Sequence, residues 1–211
     1  MNTTKFDKNY FSTIPTYEDK IIYCKETLSK FLGEGISRKV WELDNNTIIK
    51  VAKNDIGLIQ NQAETDIYEK YKHYNILRKI IETDKFNNHF LICEKCDLIS
   101  FKRFQEITQI PYKDFTKLIV GFENTYLSNP TIRKNISEEE INFITIKFPE
   151  ITNFLKELQP PNVREMIHLC NLGVKNNQII LMDYGYNKQV MDIVRNKNFH
   201  HYRINNKHRH N

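Results

Sequence analysis

The sequence has no long apolar run. No stretch of about 18 apolar residues occurs, which excludes a segment long enough to cross a bilayer as a helix. The first residues, MNTTKFDKNYF, lack the uninterrupted apolar core of a secretory signal, so we expect a cytoplasmic protein. Alanine is also scarce, since it occurs only at Ala52 and Ala63, whereas Lys, Asn and Ile make up about a third of the chain. We attribute this bias to an AT-rich genome, such as that of a phage, because the codons of those three residues are AT-rich.

Cysteine occurs four times, and only one pair has metal-ligand spacing. Cys93 and Cys96 form a CxxC motif, but no second CxxC or HxxxH pair follows it. The motif comes directly after an apolar run, so we favour reduced cysteines at a strand end over a zinc or redox site. Disorder is disfavoured, because thirteen Phe and eleven Tyr can bury enough apolar surface to order the chain.

Hydrophobic periodicity predicts a strand-rich first third and a mostly helical remainder with one short strand pair. Residues 1–16 are polar and predict an extended lead-in. The other predicted elements are a helix at 17–31, strands at 39–43 and 47–52, a helix at 56–82, a strand at 90–94, helices at 101–127 and 137–158, and a strand at 178–182. We therefore predict an α+β protein in which a small sheet lobe packs beside a helical lobe, with a cleft between them.

A glycine pair precedes the first predicted hairpin. Gly33 and Gly35 would let the backbone approach a phosphate closely, and their N–H groups could bind it. Lys50 lies near the centre of the second strand, flanked by apolar residues on its face. A lysine on a half-buried face is costly unless it has an anionic partner, so we expect such a partner for Lys50. The alternative is a surface lysine on an edge strand.

Three further polar residues could complete this site. Glu64, on the following helix, could pair with Lys50 across the helix–sheet interface, although a solvated helix face is the common role of such a residue. Asn171 and Asp183 fall at opposite ends of a predicted hairpin whose turn is at 175–177. A carboxylate and an amide oxygen form the oxygen-only set that Mg²⁺ prefers beside phosphates.

These residues occur in the order of one superfamily. The segment Gly33-x-Gly35-x-x-Arg38-x-Val40 resembles a glycine-rich loop, with Arg38 where the third glycine usually stands. Lys50 and Glu64 match the lysine–glutamate pair that follows it, and Asp183-Tyr184-Gly185 resembles the DFG motif. The chain thus resembles the protein-kinase-like superfamily, which includes protein kinases and aminoglycoside or choline phosphotransferases.

The resemblance implies a bilobal fold that binds ATP and Mg²⁺ between its lobes. It divides the chain into an N-terminal extension with a helix (1–31), a nucleotide-binding lobe with one helix (32–96) and a short helical lobe with a basic tail (97–211). Lys50 would meet the phosphates, and the backbone of the segment ending at Cys96 would receive the adenine. The implied nucleotide-binding residues are Gly33, Gly35, Ser37, Lys50, Glu94 and Cys96, and the implied metal ligands are Asn171 and Asp183.

One departure from the family pattern concerns catalysis. The acid that normally precedes the loop Asn by five positions is replaced by Met166, and methionine cannot accept a proton from a substrate hydroxyl. Glu165 is adjacent and is our candidate substitute. His168 matches the histidine of the family loop, and it either takes part in the chemistry or hydrogen-bonds the backbone and braces Asp183.

Two functions from different classes follow from this pattern. The first is an ATP- and Mg²⁺-binding phosphotransferase of impaired activity that acts on a protein or a small molecule. The second is a catalytically dead pseudokinase that holds a protein partner. Only 26 residues follow Gly185, so we expect a minimal protein without the usual peptide-docking helices. The net charge of +5 and the basic tail from Asn196 add a weaker hypothesis, contact with a nucleic acid.

Overall fold

The computed structural model describes residues 5–127, 136–185 and 187–193. Its strands are β1 (Phe31–Glu34), β2 (Arg38–Glu42), β3 (Thr47–Ala52), β4 (Ile80–Thr83), β5 (Phe90–Glu94), β6 (Asp97–Leu98), β7 (Leu172–Lys175) and β8 (Gln178–Leu181). Its helices are α1 (Lys8–Thr13), α2 (Tyr17–Thr27), α3 (Asp55–Tyr71), α4 (Phe101–Thr108), α5 (Tyr112–Tyr126), α6 (Glu138–Lys147), α7 (Pro149–Leu158) and α8 (Val163–Met166). A further helical stretch covers 188–193.

The first lobe is a five-stranded antiparallel sheet in the order β1-β2-β3-β5-β4, with α3 packed on β3, β4 and β5. The predicted hairpin is confirmed as β2 and β3. Its turn forms because Asp44 Oδ1 accepts a hydrogen bond from Asn46 N at 2.7 Å, and neither Asn45 nor Asn46 has a positive φ. Strand β3 lies between β2 and β5, so Lys50 is opposite Val40 on one side and Leu91 on the other.

The N-terminal segment packs against this sheet, and the prediction of an extended lead-in is wrong. Asp7 begins α1 by accepting a hydrogen bond from the backbone N–H of Tyr10. Phe11 is fully buried in a cluster that includes Trp41 and Phe90, both of which belong to the sheet. An isolated polar window could not reveal this helix, because burial of Phe11 against distant residues supplies its stability.

The helix predicted at 56–82 is correct only as far as Tyr71, and the prediction is wrong for the residues after it. Helix α3 ends at Tyr71, a 3₁₀ turn follows, and Asn75 takes a left-handed φ of 57° that ends the helical run. Residues of the predicted helix form β4 instead, which pairs with β5 at the sheet edge. The short β6 was likewise not predicted, and it pairs with β7 in a second, three-stranded sheet.

Helices α4 to α8 form the second lobe around a core of aromatic and aliphatic side chains. Phe104, Phe115, Ile119, Phe122 and Phe154 are fully buried there. The hairpin predicted around Lys175 is confirmed as β7 and β8, with left-handed Asn176 and Asn177 in its turn. Leu77, which follows α3, bridges to β8, and this contact joins the two lobes.

The described residues thus have the predicted α+β, bilobal and kinase-like fold, with a small antiparallel sheet lobe and a helical lobe. Within them, no helix combines the length and apolar character that a membrane span requires. The domain boundaries after 31 and 96 stay predictions. The basic tail from Asn196, with its predicted nucleic-acid contact, lies outside the described residues.

Candidate functional site

A cavity of about 410 Å³ lies between the β1–β2 loop, α3 and the loops that flank β7 and β8. Its lining brings together six of the residues predicted from the sequence: Gly35, Ser37, Lys50, Glu165, Asn171 and Asp183. The volume falls in the range of small-molecule sites. The other predicted residues lie beside this cavity or away from it.

Lys50 and Glu64 form a buried ion pair at the wall of the cavity. Lys50 Nζ lies 2.5 Å from Glu64 Oε1 and donates a second hydrogen bond to the carbonyl of Met182 at 2.9 Å. The two side chains are 4% and 0% exposed, so neither is the solvated surface residue of the alternative interpretation. Because a buried charge needs a partner, the pair holds the amine in one place.

Arg38 is the main site residue that we did not predict. In the sequence pattern it stands only as the residue that replaces the third glycine of the glycine-rich loop. Its Nη1 donates to Glu64 Oε2 at 2.6 Å and to Asn61 Oδ1 at 3.2 Å, and its Nη2 donates to Asp183 Oδ1 at 2.7 Å. Burial would lower the pKa of Arg38, but the two carboxylates raise it above its ordinary value. The alternation of side chains along β2 could have indicated that Arg38 faces the site. Arg38 and Val40 lie on the same face of that strand, and Val40 is opposite Lys50.

Asp183, in the loop after β8, is held in place by two donors of the sheet lobe. Its Oδ1 accepts the bond from Arg38 and a second one from Gln60 Nε2 at 3.2 Å. Burial would raise its pKa, but Arg38 and Lys50 outweigh that effect and the pKa is lowered. Gly185 makes this position possible, because a Cβ there would lie 2.5 Å from the carbonyl oxygen of Gln60. Only glycine lets the chain come this close to α3.

The loop between α8 and β7 places Glu165 on the cavity and Met166 in the core. Asn162 begins α8 by accepting a hydrogen bond from the backbone N–H of Glu165. Met166 is 2% exposed and packs in the helical lobe, whereas Glu165 is exposed and lines the cavity. Asn171 fixes the loop by two hydrogen bonds. Its side-chain Nδ2 donates to the backbone carbonyl of Glu165 at 2.8 Å, and its backbone carbonyl accepts from Met182 N at 2.7 Å.

His168 and Gly33 are absent from the lining of this cavity. The His168 Nδ1 accepts a hydrogen bond from Cys170 N at 3.4 Å and thereby begins the 3₁₀ turn at Leu169–Asn171. His168 thus has a hydrogen bond to the backbone, whereas the bracing of Asp183 and a catalytic role both stay predictions. Gly33 has a φ of 148°, a conformation that favours glycine, at an irregularity in the pairing of β1 with β2.

Glu94 and Cys96 also lie outside the cavity lining. The Glu94 side chain pairs with Lys175 and accepts a hydrogen bond from Lys79 N at 3.0 Å. Cys96 is a buried free thiol that packs on Ile180 and Met182, and burial raises its pKa. Both side chains are engaged in these contacts, so only the backbone of this segment is available to bind an adenine. The predicted nucleotide-binding role of Glu94 and Cys96 stays a prediction.

The charge balance of the site bears on the predicted Mg²⁺. Arg38 and Lys50 already neutralise the carboxylates of Glu64 and Asp183. Magnesium beside a nucleotide is held by one or two carboxylates together with phosphate oxygens. The carboxylate of Asp183 is already paired with Arg38, and its Oδ1 also accepts a hydrogen bond from Gln60. As folded, Asp183 is therefore not free to act as the metal ligand that the resemblance implies, and the Mg²⁺ role of Asn171 and Asp183 stays a prediction.

No protein-family model and no curated protein matches the chain. Among solved structures, it is similar to ADP-bound aminoglycoside phosphotransferase APH(2'')-Ib, with 14% identity over 79% of this chain and 69% of the other. It is also similar to APH(2'')-IIa in a complex with streptomycin and ATP (15%; 86% and 71%) and to SAICAR synthase from Saccharomyces cerevisiae (11%; 86% and 76%). The TM-score is 0.37 in each case. The kinase-like fold described above rests on the strand order and on the Lys50–Glu64 pair.

Proposed function

We propose that the protein binds ATP, with the phosphates in the cavity beneath the β1–β2 loop. The observation that carries this proposal is the position of Lys50, whose amine is held at the cavity wall by Glu64 and by the carbonyl of Met182. A buried lysine fixed in this way offers a positive charge at one point, which suits a phosphate. The adenine would bind along the backbone that follows β5, as the resemblance implies.

For this proposal, the first experiment measures the melting temperature of the full chain with and without ATP. Ligand at 100 times its Kd stabilises a protein by about 2.7 kcal/mol, which corresponds to a rise of about 6 °C for a chain of this length. We expect ATP to raise the melting temperature of the wild type and of Lys53→Met, a change at a partly exposed lysine three positions along. Lys50→Met should lose the rise. No rise at millimolar ATP in the wild type would contradict nucleotide binding.

We propose further that any phosphotransfer is weak and depends on Glu165. Glu165 lines the cavity beside Asn171 and Asp183, where a carboxylate could accept the proton of a substrate hydroxyl, whereas Met166 is buried and cannot. Much of phosphoryl-transfer catalysis is positioning and electrostatics, so slow transfer without the usual Asp is chemically reasonable. The acceptor, a protein or a small molecule, stays a prediction.

Transfer of labelled γ-phosphate, to the chain itself or to water, tests this step. If Glu165 is the base, Glu165→Gln should lower the rate at least tenfold, and the exposed change Glu150→Gln on α7 should leave it unaltered. Equal rates for both variants would remove Glu165 from the mechanism. If no transfer occurs in a protein that binds ATP, the second candidate remains, a pseudokinase that holds a protein partner. The Arg38–Asp183 ion pair favours that candidate, because it ties up the acid that transfer would need.

A further inference from the structure

Arg38 has no part in the proposed function, yet it lies at the centre of the cavity's charges. It lines the cavity with 4% of its side chain exposed, and it joins Glu64 on α3 to Asp183 in the loop after β8. Arginine carries five N–H donors, of which three are used by Glu64, Asn61 and Asp183. Two donors are therefore left on a guanidinium beside the proposed phosphate site.

We propose that Arg38 replaces a divalent cation, so that the cavity binds its nucleotide as the metal-free anion. The inference rests on the proposed function, because it concerns the form in which the nucleotide enters the same site. A metal ion at this place would neutralise Asp183 and attract the phosphates. Arg38 neutralises Asp183 with a bond of 2.7 Å, and its remaining donors suit phosphate oxygens, which guanidinium groups bind well.

A metal ion would have to displace Arg38 before it could use Asp183 fully. Displacement would leave the guanidinium almost fully buried with Glu64 as its remaining carboxylate partner, and Glu64 also neutralises Lys50. The ion would then lie near two fixed positive charges, Arg38 and Lys50, and their repulsion would oppose its binding. Gln60 adds to the barrier, because it donates to Asp183 and is itself held by a hydrogen bond from Ser37.

Titration of the full chain with a fluorescent N-methylanthraniloyl-ATP, in Mg²⁺ and in EDTA, tests the inference. We expect the wild type to bind in EDTA at least as tightly as in Mg²⁺, because Mg²⁺ draws the nucleotide out of its metal-free form. Arg38→Ala should weaken binding in EDTA at least tenfold, and Mg²⁺ should restore part of it, because Asp183 becomes free. Arg103→Ala, at a half-exposed arginine on α4, is the control and should behave as the wild type.

Each outcome of this titration decides the inference. Binding by the wild type in Mg²⁺ alone overturns the inference and leaves the proposed function standing. Absence of binding in both buffers overturns the proposed function and the inference with it. Equal binding in EDTA by wild type and Arg38→Ala also overturns the inference. If Arg38→Ala does not fold, Asp183→Asn decides, since release of Arg38 should strengthen binding in EDTA, whereas a metal-dependent site should lose its binding in Mg²⁺.

Discussion

Glu64 is the carboxylate on which the buried charges of the site depend. It lies 2.5 Å from Lys50 Nζ and 2.6 Å from Arg38 Nη1, and its own side chain is fully buried. Glu64→Gln keeps the shape of the side chain and removes its charge. Lys50 would then have no carboxylate partner and would keep the carbonyl of Met182, whereas Arg38 would keep Asp183 and Asn61. Loss of one partner from a buried ion pair costs about 3–5 kcal/mol, and since each cation keeps at least one partner we expect about 3 kcal/mol.

This cost of Glu64→Gln converts into a measurable melting shift. The entropy of unfolding is about 2.1 cal/mol/K per residue, or about 0.44 kcal/mol/K for 211 residues, so about 3 kcal/mol lowers the melting temperature by about 7 °C. Circular dichroism during heating measures the shift near neutral pH. Urea unfolding gives an independent value of the free energy, provided that the slope of the transition is unchanged.

Glu69→Gln is the matched control, because it makes the same change on the same helix. The Glu69 side chain is 63% exposed and pairs with Lys72 at 2.6 Å on the surface, where ion pairs contribute little. We expect a shift of about 1 °C or less for it. If Glu64→Gln melts within about 2 °C of Glu69→Gln, the buried network does not have the energetic role that its geometry indicates.

Three further changes probe the surroundings of the site. Phe11→Ala should destabilise the protein by about 3–5 kcal/mol in urea unfolding, because the ring is fully buried, whereas Tyr10→Ala, at a 58% exposed ring, should have little effect. Gly185→Ala should lower both the melting temperature and ATP binding, because its Cβ would clash with the backbone of α3, whereas Gly35→Ala has open space and should keep the melting temperature. Since folding lowers the pKa of Asp183, its ion pair stabilises the protein above the ordinary value of 3.8 and loses that effect as the pH falls below it. The melting-temperature gap between wild type and Asp183→Asn should therefore shrink as the pH falls below about 4.

The local part of this architecture could be predicted from the sequence. Alternation along β3 indicated that Lys50 shares a face with apolar residues, and turn chemistry indicated the hairpin that carries Asp183. Neither prediction needs more than a dozen neighbouring residues. The same applies to Glu64, which lies one helical segment after Lys50 and was expected to reach it.

The remaining features depend on contacts between distant parts of the chain. Arg38 and Asp183 are 145 positions apart, so only the packing of the two lobes shows that they meet. The choice between Glu165 and Met166 depends on where the short helix α8 begins, and Asn162 sets that start. A shift of one residue in a loop reverses which side chain faces the cavity. The spacing of apolar residues in the sequence cannot predict the start of a short helix to within one residue.

The two departures from the family pattern affect the same reaction in different places. Where the resemblance implies a proton-accepting acid, this chain has the buried Met166, and Asp183, the metal ligand that the resemblance implies, is paired with Arg38. Neither change touches the amine of Lys50, which Glu64 and a carbonyl still hold at the cavity wall. Phosphate binding needs that fixed charge, whereas transfer also needs a base and charge stabilisation on the leaving group. Under the proposed function, a site with this set of changes should bind nucleotide and turn it over slowly, which makes nucleotide affinity measured without metal the most informative test of that proposal.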